Sequence, residues 1–129
     1  MLAKVEYKKD NFIITNAAMN DLLRPALYDA HHDVWPVVKN DNPASNVNVV
    51  GPICETGDFL AKDINIAASE NDLLAVKTVG AYGSVMSSNY NSRPRAAEVL
   101  VDKKNFYLIR KREDNSSLTS LEEGLDDQI

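Results

Sequence analysis

The sequence predicts a mainly β protein, a small barrel or sandwich, and three observations carry that expectation. Two segments read as β-hairpins, in which β-branched or aromatic runs are joined by short polar turns. Further short apolar runs read as strands, and the helical signals are brief. The chemistry-bearing residues then fall on the connections.

In chain order, Ala3 to Tyr7 alternates small or apolar residues with charged ones. The polar run Lys8-Lys9-Asp10-Asn11 follows, and Phe12-Ile13-Ile14-Thr15 is the return strand. Met19 to Leu23 predicts one helical turn before Pro25. Val34 to Val38 reads as a strand weakened by Pro36. Val47-Asn48-Val49-Val50 and Leu73-Leu74-Ala75-Val76-Lys77 read as two more strands. Gly80 to Met86 predicts another short turn of helix. The second hairpin runs from Ala96–Val101 through Asp102-Lys103-Lys104-Asn105 into Phe106–Arg110. Ser117 to Leu125 places Leu118, Leu121 and Leu125 on one helical face, with Thr119 and Glu122 spaced as a capping box.

At 129 residues the chain is about one domain. A chain of this size buries roughly two-thirds of its unfolded surface and needs no disulfide or metal staple. The single cysteine makes no internal bridge, which fits a reducing compartment. The amino-terminal residues alternate with charges and do not read as a signal peptide. No apolar run approaches the ~20 residues that span a bilayer. The expectation is a cytoplasmic protein with no membrane partner. Of the net charge of −5, most resides in residues 113–129, which hold six acidic and no basic residues. The rest is nearly balanced, so no basic face for nucleic acid is expected. Residues 113–129 read as an acidic, partly helical and solvated tail, and residues 1–112 as the β domain.

Four stretches stand apart from the scaffold. In Asn20-Asp21-Leu22-Leu23-Arg24-Pro25-Ala26-Leu27-Tyr28, a guanidinium and a phenol about one turn apart can grip one carboxylate. In Gly51-Pro52-Ile53-Cys54-Glu55-Thr56-Gly57-Asp58-Phe59, turn residues bracket an adjacent thiol and carboxylate. A thiol is a proton donor near neutral pH, and a carboxylate partners an ammonium. A lone cysteine is also often just a small buried apolar residue. In Gly80-Ala81-Tyr82-Gly83, small neighbours leave the tyrosine accessible; the plainer alternative is a turn with a packing aromatic. The fourth, Met86 to Arg95, is rich in hydrogen-bonding groups and reads as the lining of a wet pocket or a subunit contact. His31 and His32 are adjacent and point apart, so no zinc site is expected.

Together these stretches resemble a known family. R-P-A-L-Y, G-P-I-C-E-T-G-D-F-L-A-K-D and G-A-Y-G-S-V-M-S-S-N-Y-N-S-R-P-R-A-A-E-V-L are similar to the carboxyl-terminal part of diaminopimelate decarboxylase, from about Phe12 to Arg110. The resemblance implies a fold-type III, pyridoxal-phosphate-dependent enzyme that converts meso-diaminopimelate to L-lysine and CO2. It implies an amino-terminal (β/α)8 cofactor barrel, a carboxyl-terminal β domain, and a homodimer with shared active sites. Cys54 then matches the proton donor and Glu55 the residue that meets the distal amino group, both reaching the partner's site. Arg24 and Tyr28 match substrate-binding residues. Tyr82 matches the tyrosine that contacts substrate and the cofactor phosphate.

A (β/α)8 barrel takes about 250 residues, more than this chain holds. None of its lysines lies in the family's cofactor-lysine motif, so the chain reads as the carboxyl-terminal domain alone, an excised piece or a truncated product, inactive by itself. A related decarboxylase for ornithine, arginine or carboxynorspermidine is the first alternative. The ornithine group typically carries aspartate after the cysteine, where this chain has Glu55. The second alternative is a stand-alone, non-catalytic assembly module.

Overall fold

β1 (Leu2–Lys9) and β2 (Phe12–Thr15) form the first hairpin, with Lys9 opposite Phe12. Its turn is shorter than the sequence suggests. Lys8 and Lys9 remain in the strand, and Asp10-Asn11 alone reverse the chain, Asp10 at φ 52°. The computed structural model describes residues 1–39 and 41–124. They fall into two compact units, Met1–Ser87 and a second from Ser88 onward, and each is described by itself.

The first unit holds a six-stranded, barrel-like sheet. Besides β1 and β2 it contains β3 (Val34–Pro36), β4 (Ser45–Val50), β5 (Phe59–Ile66) and β6 (Leu73–Val76), in the order β3-β6-β1-β2-β4-β5. All neighbours are antiparallel except β2 and β4, which run parallel. Pro36 lies on an end strand, where its missing N–H leaves no central ladder bond broken. The alternation read in β1 places Ala3 and Val5 inside. They meet Ile13, Leu22, Val47, Val49, Leu60 and Leu74, all essentially inaccessible to water. Each large side chain of this set contributes about 1.5–3 kcal/mol by leaving water.

β5 is the strand that sequence patterning does not identify. Its pattern breaks because both Leu60 and Ala61 are buried, and Asp63 takes a left-handed φ of 51°. Its pairing with β4 shifts register twice, so a strict period of two never develops.

The helical expectations need three corrections. Met19–Leu23 is a turn rather than helix, and α1 (Arg24–Tyr28) begins where the helix was expected to stop. Pro25 sits in its first turn, where a fixed φ and a missing N–H cost nothing. After α2 (Ala81–Ser84), a 3-10 turn not read from the sequence covers Tyr90–Ser92. In the second unit, β7 (Glu98–Asp102) and β8 (Asn105–Arg110) form the expected hairpin around Lys103-Lys104. The last helix is α3 (Asn115–Thr119), capped by Asp114, whose carboxylate accepts from the Ser117 N–H at 2.9 Å. A Thr119–Glu122 capping box therefore does not start it, and Leu121 is exposed. Leu125 lies outside the described residues.

Among the described residues, no helix is long and apolar enough to cross a membrane, and no group of three or more metal-ligating side chains gathers. The adjacent histidines part company. His31 is exposed beside Asp33, while His32 is buried with Nδ1 3.0 Å from the Lys77 carbonyl.

Candidate functional site

The loop between β4 and β5 carries Cys54 and Glu55, and both side chains are exposed. Its backbone closes on itself. Gly51 N–H donates to the Asp58 carbonyl at 3.1 Å, Glu55 N–H to Ile53 at 2.8 Å, and Asp58 N–H to Glu55 at 3.1 Å. Ile53 points inward, so the residue before the thiol anchors the loop while the thiol faces solvent. The thiol is not the small buried residue that a lone cysteine often is.

Asp58 sits beneath this loop, 3% exposed. Its Oδ2 accepts from the Ile53 N–H at 2.8 Å, and its Oδ1 accepts from the Met19 N–H at 2.7 Å. A buried carboxylate is costly unless hydrogen-bonded, and these two backbone donors compensate it. The packing also explains Gly51. A Cβ there would lie 2.5 Å from Asp58 Oδ2 and 2.6 Å from the Ala18 Cα, too close for any side chain.

Met19 belongs to the turn that leads into α1. Asp21 Oδ2 accepts from the Ala18 N–H at 2.9 Å, and Leu22 N–H donates to the Ala18 carbonyl at 3.2 Å. From this braced turn α1 presents Arg24, half-buried, and Tyr28, exposed, four residues apart on one face. α1 ends at Asp29 in a left-handed conformation, and the Asp29 carboxylate pairs with Lys62 of β5 at 3.0 Å.

Tyr82 lies on α2. Gly80 precedes it at φ 52°, ψ −145°, a conformation open essentially to glycine alone. The Tyr82 ring is exposed, and the Arg24 guanidinium lies 5.8 Å from its centroid. That distance is within cation–π range. The sequence had paired Arg24 with Tyr28; the fold adds Tyr82 to the same guanidinium.

In the second unit, the polar run is knotted around Glu113. Its carboxylate accepts from Asn89 Nδ2 at 2.6 Å, from the Arg95 N–H at 2.8 Å and from an Arg95 guanidinium N–H at 3.1 Å. Arg95 also donates to Asn89 Oδ1 at 2.8 Å. The Arg95 backbone N–H, first, and then the Asn89 amide hold the Glu113 carboxyl below the ordinary glutamate range. Glu113 is thus a hub rather than the first residue of a freely solvated tail. Asn91 and Ser92 both take left-handed φ, 60° and 55°, inside the segment that this hub closes. For serine that backbone is strained.

Sequence reasoning missed Asp58, Met19 and Glu113 as supports. No signal in the sequence marks them, because an aspartate after a turn glycine is ordinarily a solvated turn residue.

Residues 1–80 match the family described as pyridoxal-dependent decarboxylase, C-terminal sheet domain. The diaminopimelate decarboxylase of Vibrio cholerae is 53% identical over 97% of this chain, which spans 31% of that protein's length. The structure of Helicobacter pylori diaminopimelate decarboxylase complexed with L-lysine superposes with a TM-score of 0.88 at 40% identity, covering 99% of this chain and 32% of that one. The enzyme of the same name from M. jannaschii gives 0.92 at 34% identity, with 99% and 30% covered. The six-stranded sheet and these matches lead to one conclusion: the chain belongs to the pyridoxal-dependent decarboxylases, as their C-terminal sheet domain.

Proposed function

We propose that this chain is the carboxyl-terminal part of a diaminopimelate decarboxylase, which converts meso-diaminopimelate to L-lysine and CO2. The observation that carries the reading is identity of 53% sustained over 97% of the chain with a protein of that name. The H. pylori relative complexed with L-lysine supports the same product.

Pyridoxal phosphate, when bound in the whole protein, supplies the electron sink for loss of the α-carboxylate. This chain's residues supply the proton donor and substrate contacts. The α-carbon must take up a proton once CO2 has left, and the exposed Cys54 thiol is the donor. A thiol carries a proton that it can deliver to carbon, which suits the role of general acid. Glu55, beside it, accepts the distal ammonium of the substrate. Arg24 and Tyr28 bind the distal carboxylate and Glu55 the distal ammonium, groups that a shorter amino acid does not place there, so such a substrate forgoes these contacts and is rejected. Tyr82 would contact substrate and help hold the phosphate of the cofactor. The fit to a phosphate rests on an exposed phenol that can donate to an oxyanion, with the Arg24 guanidinium 5.8 Å from its ring centre adding positive charge nearby.

The whole protein is a cytoplasmic homodimer in this account, and Cys54 and Glu55 reach into the partner's site. The β domain continues through residue 112, followed by the acidic segment, and the cofactor barrel lies elsewhere in the longer protein. The exposed apolar residues of β7 and β8 support a domain built to pack against more protein.

A substrate panel tests the activity. The full-length protein should release CO2 from meso-diaminopimelate and leave ornithine, arginine and carboxynorspermidine nearly untouched, and the 129-residue chain alone should turn over none of them. Preference for ornithine would overturn the assignment. Shared sites are tested by mixing a Cys54→Ala subunit with one lacking the cofactor lysine. One active site per mixed dimer should return, and no recovery would refute the shared arrangement.

A further inference from the structure

We infer that Asp58 is a positioning residue, a buried carboxylate clamp that locks the Cys54–Glu55 loop to the turn leading into Arg24. The geometry is specific. One oxygen accepts the Ile53 N–H, immediately before Cys54, at 2.8 Å. The other accepts the Met19 N–H, five residues before Arg24, at 2.7 Å. Asp58 and Met19 are 39 residues apart in sequence, so the clamp joins two segments that no local turn connects. Burial makes the arrangement stiff. The bond from Ile53 is buried and that from Met19 part-buried, so losing the shared acceptor leaves the Ile53 N–H without a ready replacement. Gly51 fits because the carboxylate lies where its side chain would be.

Loops that carry reacting groups are precise only when something rigid holds them. Cys54 and Glu55 project into solvent from this loop, and the clamp under Ile53 supplies the rigidity. The same carboxylate fixes the entry to α1, so the proton donor and the substrate-binding arginine share one support. The role in turnover rests on the decarboxylase reading; the clamp itself does not.

Asp58→Asn keeps the shape and replaces one acceptor oxygen by an amide donor. In the 129-residue chain it should speed amide exchange at Ile53 or Met19 by about tenfold or more, while core amides such as Leu74 change little. Alkylation of Cys54 by iodoacetamide should shift severalfold. In the full-length enzyme the substitution should lower kcat by up to about 10²-fold with a smaller change in KM, the mark of a displaced acid. Uniform loosening of the whole sheet would overturn the proposal, because Asp58 would then be a general core stabiliser. So would exchange, alkylation and kcat all within twofold of the native values. If Asp58→Asn does not fold, the native chain still decides. Ile53 and Met19 amides must both be protected and open together, and Ile53 exchanging like an exposed amide would refute the clamp. An inactive full-length native protein with the coupled exchange intact would count against the decarboxylase reading and for the clamp.

Discussion

The loop from Gly51 to Asp58 and the hairpin of β7 and β8 are opposites. The loop has no regular secondary structure, yet a buried carboxylate, closed backbone bonds and an inward Ile53 hold it. The hairpin is an antiparallel ladder with a single register shift at Glu98/Val99, yet Val99, Leu100, Val101 and Phe106 to Ile109 are each 51–77% exposed. Local regularity and burial are therefore separate properties. The loop's shape is dictated by packing within its own unit. The hairpin's sequence alternates too little to define an inside, and it offers apolar side chains on both faces, as a strand pair does when more protein is to cover it.

Deleting core volume should separate the two regions most strongly. Leu60→Ala, in the fully buried set, should cost about 2–5 kcal/mol in denaturant unfolding, whereas Leu108→Ser should change the stability of the first unit by less than about 0.5 kcal/mol. Equal losses would erase the distinction. Leu108→Ser should instead reduce self-association in sedimentation.

The next effect is steric. Gly51→Ala places a methyl against Asp58 and the Ala18 backbone, and should destabilise by about 1–3 kcal/mol. Gly57→Ala, on the same loop with open space around it, should be nearly neutral. A neutral Gly51→Ala would mean that the loop is looser than its bonds imply.

The smallest effect concerns the Glu113 hub. Its carboxyl is held below the ordinary range, so the folded form favours the ionised state. The stabilisation is present above the unfolded glutamate value of about 4.3 and is lost as pH falls through the lower folded value. Protection of the amides around Arg95, measured relative to intrinsic exchange at each pH, should fall on acidification in that window, and Glu113→Gln should show at neutral pH the reduced protection that the native chain shows in acid. A Glu113 titration midpoint above that of a model peptide would contradict the sign.

Legibility in the sequence followed the same division. The β1–β2 and β7–β8 hairpins were readable because β-branched and aromatic runs flank short polar turns. β4 and β6 were readable as compact apolar runs. β5 was not, since its register shifts and Asp63 kink are set by pairing with β4. Arg24, Tyr28, Cys54, Glu55 and Tyr82 stood out because turn residues frame them. Asp58, Met19 and Glu113 did not, because their partners are 39 residues away or, for Glu113, 18 and 24, and a backbone N–H carries no sequence signature.

The role of the Cys54 thiol is tested most directly by steady-state kinetics of the full-length protein on meso-diaminopimelate. Cys54→Ala should lower kcat by about 10²–10⁴-fold and leave KM within a few-fold, because the thiol acts in protonation and contributes little to ground-state binding. Glu55→Gln should do the reverse, raising KM more than it lowers kcat. A Cys54→Ala enzyme with native kcat, or one changed only in KM, would contradict the account.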